Sequence, residues 1–175
     1  PAKKRTDKGE FWWELRACAY YEAFEKVKIQ YAHFSSGHLF HRNTNGSFSN
    51  DKSYIIPTSD WFLLGLLNSN PYWFLITALA PSVRGGFYEL RAQYMETLPI
   101  PTATEEQKTN IGQLAESCQS LTEQRYAIEQ KVAHRLVSDL CPTDNTAKLT
   151  QKAQAWWTLD FTSLQTELKK SFGLK

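Results

Sequence analysis

The sequence predicts an α+β fold, in which a small mixed sheet with a helix pair is followed by a long helical segment. Short apolar–polar alternations and turn residues dominate the first hundred residues, whereas apolar residues at three- and four-residue spacing dominate the remainder. Pro99 and Pro101 separate the two patterns, because two prolines at alternate positions force an extended backbone. Aromatic residues follow the same division, since only five of the 24 lie beyond residue 100. We therefore predict two domains, residues 1–101 and residues 102–175.

Composition and charge indicate a globular protein without a strongly charged surface. Hydrophobic residues make up 42% of the 175 residues and charged residues 22%, which is not the composition of a disordered chain. The formal net charge is +2, so any basic surface must arise from the placement of charges rather than from their total. Asn68, Ser69, Asn70 and Pro71 interrupt the longest apolar stretch, and we therefore expect no membrane partner.

The start of the chain and its cysteines bear on the cellular setting. No charged and then apolar leader opens the sequence, so no secretory signal is expected. The first residue is Pro1 rather than methionine, which suggests a piece of a longer polypeptide. Cys18, Cys118 and Cys141 are odd in number and far apart, a pattern that argues against a disulfide framework and a four-cysteine zinc site. We expect a cytoplasmic protein.

Strands are predicted in the first half of the N-terminal domain. Apolar and polar residues alternate over residues 27–31, which is the pattern of a half-buried strand. The Asn-Gly pair at 45–46 readily adopts a left-handed backbone, so the segments 38–42 and 47–50 on either side are predicted to flank a hairpin turn. Residues 53–56 are predicted to form a further strand.

Two apolar helices are predicted to follow these strands. Ser59 or Asp60 caps a helix over residues 61–67, because either side-chain oxygen can accept a hydrogen bond from a free N–H of the first turn. Ser69 can cap a second helix in the same way. Pro71 then lies in the first turn of that helix, where the missing N–H of proline costs little.

A glycine-rich loop and a short mixed segment complete the N-terminal domain. Arg84-Gly85-Gly86 is predicted to form a flexible loop, since glycine tolerates backbone conformations that other residues avoid. Residues 87–94 leave this loop as a strand or as a short mixed segment. The loop does not belong to the P-loop type, because the Lys-Ser/Thr pair of that phosphate-binding motif is missing.

The C-terminal domain is predicted to be helical. Its apolar residues step by three and four in a heptad-like seam, namely Ile111, Leu114, Cys118, Leu121, Ile128 and Val132. A helix of about 35 residues with such a seam needs a cover, which the first domain, a helix over residues 147–157 or a partner could supply. Thr162 and Gln165 form a capping box for a last helix, which ends at Phe172 and is closed by Gly173.

No catalytic constellation can be identified in the chain. The Asn-Pro-Tyr-Trp run at 70–73 is similar to the Asn/Asp-Pro-Pro-aromatic loop that holds a flipped base in amino-methyltransferases, but the second proline is missing and an apolar helix follows. We interpret this run as a helix start. His33, His38 and His41 cluster in the sequence, and we interpret them as surface histidines rather than as metal ligands. No nucleophilic triad is recognisable.

The remaining feature is a loop-and-strand surface rich in residue types that read DNA. Arginine can contact guanine through two hydrogen bonds, asparagine or glutamine can contact adenine, and lysine or backbone N–H groups hold phosphate. Glycine lets the backbone approach a duplex closely. The candidate DNA-binding residues are Lys28, Tyr31, His33, His38, His41, Arg42, Asn43, Asn45, Arg84, Gly85, Gly86, Tyr88, Arg91 and Gln93.

Several segments, in their order and spacing, resemble one protein family. They are Trp13–Arg16, Phe24–Tyr31, Leu64–Ser69, Tyr72–Phe74, Arg84–Tyr88 and Tyr94–Pro101. The set resembles the TaqI-like C-terminal specificity domain and covers about residues 11–140. That family is the DNA target-recognition domain of adenine-N6 DNA methyltransferases, including fused type IIG restriction–modification enzymes. Residues 105–107 are similar to the specificity subunits of type I restriction systems, and the tail resembles the continuation of the large fused enzymes.

The resemblance implies a division of labour between two domains. A separate N-terminal methyltransferase domain would bind S-adenosylmethionine and carry the catalytic loop, so no catalytic residue, cofactor or metal is expected in this chain. The present domain would clamp double-stranded DNA, read bases in the major groove and position the target adenine for flipping. Arg84, Gly85 and Gly86 are carried over as a loop on the DNA side. Trp13 is expected to be structural, and Asn68 is expected to end a helix.

Two other functions stay open at this point. The helical half could be a protein-interaction module that docks on another domain or subunit, and this role is compatible with DNA recognition elsewhere in the chain. An autonomous hydrolase or metal-dependent nuclease built on the histidine cluster is the third hypothesis, which bound zinc would support.

Overall fold

A computed structural model describes residues 10–11, 20–141 and 148–173 of the chain. The chain divides into two compact units, Pro1–Ser117 and Cys118–Lys175. Helices and antiparallel strands both occur among the described residues, which confirms the predicted α+β class.

The strands of the first unit form two three-stranded antiparallel sheets. The elements of this unit in chain order are α1 Tyr21–Glu25, β1 Lys28–Ala32, β2 Phe34–Ser35, β3 His41–Asn43, β4 Ser53–Ile56, α2 Trp61–Leu67, α3 Asn70–Leu79, β5 Ser82–Val83, β6 Phe87–Glu89, α4 Ala92–Met95 and the start of α5 Glu105–Leu140. The strand order is β3-β1-β4 in the first sheet and β2-β6-β5 in the second. The predicted mixed segment over residues 87–94 is confirmed, because β6 is followed by α4.

The central strand of the first sheet is β1, and the alternation at residues 27–31 predicts its core face. Ile29 and Tyr31 are buried in the core of the first unit. Ile29 lies opposite Arg42 of β3 on one side and opposite Ile56 of β4 on the other. The strands predicted over residues 27–31 and 53–56 are confirmed as β1 and β4.

The hairpin predicted around the Asn-Gly turn is wrong in its pairing. β3 pairs with β1, whereas residues 47–50 form a loop. Asn43 holds this loop, because its Nδ2 donates to Ser47 Oγ at 2.7 Å and its Oδ1 accepts a hydrogen bond from the Asn45 N–H at 3.1 Å. The turn itself is as predicted, since Gly46 has a positive φ of 65°.

The capping predictions for the two apolar helices are confirmed. α2 begins after Asp60, whose Oδ1 accepts a hydrogen bond from the Phe62 N–H at 2.8 Å. α3 begins after Ser69, whose Oγ accepts from the Tyr72 N–H at 3.4 Å, and Pro71 lies in the first turn. The Asn-Pro-Tyr-Trp run is therefore a helix start, as interpreted from the sequence.

α2 packs closely against the start of α5 at Gly65. A methyl group on Gly65 would lie 2.6 Å from Ile111 Cγ2, so this packing requires a residue without a side chain. Ile111 in turn packs against the core of the first unit. This contact explains why the first unit extends to Ser117, inside α5. The domain boundary predicted at residue 101 stays a prediction.

The second unit is built from the rest of α5 and two short helical regions. These are α6 Gln151–Gln154 with the 3-10 turn Trp156–Thr158, and α7 Phe161–Phe172. Leu136 and Val137 of α5 pack against a small core formed by buried apolar residues of the later helices, namely Leu149, Ala153, Leu168 and Phe172. α5 has 36 residues, which confirms the predicted long helix.

Two details of the second unit differ from the sequence predictions. The helix predicted over residues 147–157 is confined to α6, and its first residue lies outside the described residues. The capping box predicted at Thr162 is wrong, because α7 is capped by Asp160, whose Oδ1 accepts from the Ser163 N–H at 2.8 Å. Gly173 closes α7 with a φ of +66°, as predicted.

The apolar seam of α5 is only partly covered. Val132 is half-buried, and the next apolar residues of α5 reach the core of the second unit. Leu114, Leu121 and Ile128 are exposed within the units to which they belong. No single helix in the described ranges is long and apolar enough to cross a membrane, although α2 and α3 together, bent by 65°, have the necessary length and composition.

Candidate nucleic-acid interface

The Arg-Gly-Gly run forms an exposed tight turn between β5 and β6. Val83 and Phe87 are paired at the base of the turn, so Arg84, Gly85 and Gly86 alone connect the strands. The two glycines have φ values of +87° and +78°, a backbone conformation that other residues rarely adopt. The predicted loop is therefore a defined hairpin turn. The backbone conformation of the turn therefore explains why residues 85 and 86 are both glycine.

Arg84 presents an unneutralised charge at this turn. All three residues of the turn are exposed. Within the described part of the chain, Arg84 forms no ion pair with a carboxylate. A methyl group placed on Gly86 would meet no atom within 4 Å, so the space around Gly86 is open, whereas a methyl group on Gly85 would lie 3.6 Å from the Phe87 ring. The turn can therefore approach a phosphate or a base edge without rearrangement of the protein.

The second sheet has one buried face and one exposed apolar face. Tyr88 lies on the buried face, where its ring meets Trp73 edge-on with ring centroids 5.7 Å apart. The register places Phe34, Val83 and Phe87 on the opposite face, where they are 41%, 37% and 41% exposed. We refer to these three side chains as the apolar face. It continues directly into the Arg-Gly-Gly turn, because two of its members pair at the base of that turn.

A hydrogen-bonded charge cluster lies at the edge of this face. Glu89 Oε1 accepts hydrogen bonds from Arg91 at 2.7 Å and from His33 Nε2 at 3.1 Å. The hydrogen bond from Arg91 lowers the pKa of Glu89, and the interaction with His33 lowers it further. His33 also stacks on Phe34 with ring centroids 4.2 Å apart. Glu89 is thus compensated within the protein, and its charge opposes an approaching anion less than a lone carboxylate would.

Other predicted residues surround this region at different depths. His41, Asn45 and Gln93 are exposed, and His38 is half-buried. Arg42 lies with its guanidinium 4.8 Å from the centre of the Trp61 ring, so its cation is held on the helix side of the first sheet. The structure therefore brings His33, Arg84, Tyr88 and Arg91 into or beside the second sheet, whereas His41, Arg42, Asn43 and Asn45 belong to the first sheet and its loop.

Three of the candidate residues are buried inside the protein and stabilise its fold. Lys28 is fully buried, and its Nζ donates to the Phe24 carbonyl at 2.6 Å. Tyr31 lies in the core, and Asn43 is buried by the loop that it holds. A duplex at the surface cannot contact these side chains. We therefore leave Lys28, Tyr31 and Asn43 out of the candidate interface.

Burial of Tyr31 has a consequence at high pH. Desolvation raises the pKa of the Tyr31 hydroxyl well above its usual value, and Tyr54 and Glu96 contribute in the same direction. In the unfolded chain a tyrosine ionises near pH 10. The neutral hydroxyl is thus favoured by folding, which stabilises the native state fully below about pH 10 and progressively less above it.

We expect Tyr31→Phe to flatten this alkaline loss of stability, measured by urea unfolding at pH values from about 8 to 11. Tyr126→Phe, at an exposed position, is the matched control, and an equal effect of both variants would contradict the assignment.

The exposed apolar face is a feature that the sequence does not predict. Phe34, Val83 and Phe87 are not among the candidate residues, because apolar side chains in short strands are ordinarily core residues. The available signal was the position of Val83 and Phe87 on either side of a turn that is itself predicted to face DNA.

The described residues contain no group of three or more His, Cys, Asp or Glu side chains that could hold a metal ion. His33 is hydrogen-bonded to Glu89, and His38 lies near Trp73 with ring centroids 6.2 Å apart. The histidine cluster seen in the sequence is therefore dispersed over different neighbours. The chemical capacity of the site is hydrogen bonding, charge attraction and apolar contact with a ligand.

Two family models match this chain. Residues 3–100 match the model of the TaqI-like C-terminal specificity domain. Residues 104–175 match the model of a domain of unknown function, DUF8810. A search of curated proteins gave no match.

Proposed function

We propose, because the chain belongs to the TaqI-like C-terminal specificity domain family, that it is the sequence-reading module of a site-specific adenine-N6 DNA methyltransferase or restriction–modification enzyme. Its ligand is double-stranded DNA, and its role is to place the target adenine for flipping into a catalytic domain. That catalytic domain, N-terminal to this chain in the full-length protein, binds S-adenosylmethionine. In this proposal the chain supplies recognition, and the bond-making step belongs to the catalytic domain.

The exposed Arg84-Gly85-Gly86 turn is the observation that carries this proposal. A two-stranded β-ribbon fits the major groove of B-form DNA, which is about 12 Å wide. The β5–β6 hairpin is such a ribbon, and its turn carries one unpaired cation among the described residues and two glycines. In the groove, Arg84 contacts guanine or a phosphate, while the glycines let the backbone approach.

Mapping of methylated adenines tests this function. We expect that cells without other adenine methylation, when they express the full-length gene product, carry N6-methyladenine in one short sequence context. Exchange of residues 28–94 for those of a family member with another target should change that context while methylation persists. Methylation at the original context after the exchange would locate the sequence reading elsewhere. The absence of any methylation context would contradict the adenine-methyltransferase setting.

An exposed apolar groove in the second unit favours a second function, that of a docking module. Leu121, Ile128 and Trp157 are exposed there, and they line a groove of about 350 Å³ together with Trp156. Contiguous exposed apolar surface of this kind is typical of protein contacts. The second unit can therefore dock another domain or subunit while the first unit reads DNA.

We expect Leu121→Glu to leave the fold intact. Because the Leu121 side chain is 64% exposed, the free energy of unfolding should change by no more than about 0.5 kcal/mol. A charge in the groove should weaken association with a docked domain, measured by co-purification or by calorimetry with that domain. Gln130→Glu adds the same charge at another exposed position of α5 and is the control. A loss of several kcal/mol in stability would instead place Leu121 in an internal core.

A further inference from the structure

We propose that the apolar face of the second sheet reads a thymine by contact with its 5-methyl group. This inference rests on the proposed function, and it names a specificity element that lies beside the Arg84 turn. The apolar face consists of Phe34, Val83 and Phe87, as defined above.

The position of the apolar face is set by strand register. Val83 and Phe87 are directly paired, and Phe34 is paired with Glu89 on the neighbouring strand. Side chains of paired residues lie on the same face, and residues two apart in a strand share a face. Tyr88 points to the other face, which covers the core through Trp73. The three exposed side chains therefore do not stabilise the core from that side.

Exposure of these apolar side chains requires a reason. Three neighbouring side chains that keep roughly two fifths of their surface in water forgo part of the stabilisation that burial would give. The Arg84 turn adjoins them, and it carries a cation and open space around Gly86. The ligand must therefore offer apolar groups and hydrogen-bond acceptors or negative charge within a few ångströms.

Major-groove DNA meets this requirement through thymine. The 5-methyl group of thymine is the apolar group that a base exposes in the major groove, and apolar side chains are its usual protein partners. Guanine acceptors and phosphate oxygens lie nearby for Arg84. Charge also favours a polyanion such as DNA here, because Arg84 has no ion pair among the described residues, whereas Glu89, which lies on the same face, is paired with Arg91.

Val83 and Phe87 are the residues expected to make the contact. They occupy the base of the turn, so a ribbon that inserts the turn into the groove carries these two side chains in with it. Phe34 lies on β2, one strand further from β5, and shares this face with Phe87. His33, stacked on Phe34, fixes that ring in place.

Replacement of thymine by deoxyuridine tests the inference, because it removes only the methyl group. The full-length gene product is titrated with duplexes of its own target, in which each thymine is replaced in turn. Any target that contains an adenine also contains a paired thymine, so the series is never empty. We expect one replacement to weaken binding by about fourfold, the effect of losing one buried methyl group. Phe87→Ala should weaken binding to the unmodified duplex and abolish the difference between thymine and deoxyuridine at that position.

Matched variants separate the possible outcomes. Val83→Thr keeps the size of the side chain and adds a hydroxyl, and it should reduce the same thymine preference if Phe87→Ala does not fold. Phe74→Ala removes a phenylalanine of α3 that is even more exposed, at 73% against 41% for Phe87, and should leave the preference intact. Sequence-specific binding without any thymine preference, or a preference that persists in both Phe87→Ala and Val83→Thr, would overturn this inference and leave the proposed function standing. Equal affinity for target and scrambled duplexes would overturn the proposed function itself. Loss of contact with the catalytic domain in Phe87→Ala, with unchanged thymine preference, would assign the face to a protein partner instead.

Discussion

Asn68→Ala should lower the free energy of unfolding by about 2–4 kcal/mol. Asn68 ends α2, and its side chain also binds a distant segment of the chain. Its Oδ1 accepts a hydrogen bond from the Phe40 N–H at 3.1 Å, and its Nδ2 donates to the Phe40 carbonyl at 2.9 Å and to the Leu64 carbonyl at 3.2 Å. Alanine removes all three bonds and leaves partly buried backbone groups without their partner.

Urea unfolding of the chain measures this effect. Asn50→Ala is the matched control, since Asn50 Oδ1 accepts one exposed hydrogen bond from the Lys52 N–H at 3.0 Å. We expect the control to cost less than about 1 kcal/mol. Asn68→Asp keeps the acceptor but loses both donated bonds, and it should be nearly as unstable as the alanine variant. Equal stabilities of the Asn50 and Asn68 alanine variants would show that the Phe40 contacts contribute little.

Asn68 illustrates which features the sequence determines locally. Its role in ending α2 is confirmed, and so are the caps at Asp60 and Ser69 and the left-handed turns at Gly46 and Gly173. Each of these depends on hydrogen bonds or backbone angles within about four residues. The contact of Asn68 with Phe40 could not be predicted, because it joins residues 28 positions apart.

Strand pairing is the part of the fold that local patterns leave open. The Asn-Gly turn was compatible with a hairpin between residues 38–42 and 47–50, yet β3 pairs with β1. Pairing depends on which strands the core brings together, and no short-range signal reports that choice. Lys28 illustrates the same limit for burial. Lysine is ordinarily an outward residue, but the Phe24 carbonyl binds its ammonium, and Phe24 in turn stacks on Phe48 with centroids 5.1 Å apart.

The candidate interface likewise has one part that the local sequence predicts and one part that depends on tertiary packing. The Arg-Gly-Gly turn could be recognised in the sequence for two reasons. Two successive glycines allow the left-handed backbone of a tight turn, and arginine is a residue type that contacts guanine. The exposure of Phe34 and Phe87 depends on the packing of Tyr88 against Trp73, which decides the buried face of the second sheet. Such a choice between two faces is a tertiary property. Exposed apolar residues of a candidate interface are therefore harder to predict than polar ones.

Arg84→Ala should weaken specific DNA binding by about tenfold to a hundredfold. The side chain is exposed and has no ion pair among the described residues, so its loss removes little from the folded protein. We expect the free energy of unfolding to stay within about 0.5 kcal/mol of the wild type. The lost affinity then reports a contact with DNA rather than a change of fold.

The kind of contact can be read from salt and sequence dependence. If Arg84 binds phosphate, the slope of log affinity against log salt should fall by about one unit, equally for all sequences. If it binds guanine through two hydrogen bonds, discrimination should relax at one base pair, and Arg84→Lys should fail to restore it because lysine lacks the planar fork.

Arg135→Ala removes the same charge from an exposed position of α5 and controls for the general effect of charge. Binding measured with the full-length gene product distinguishes these cases. Unchanged affinity, salt slope and discrimination in Arg84→Ala would exclude the turn from the interface, since an exposed cation that contacts a duplex must affect at least one of the three.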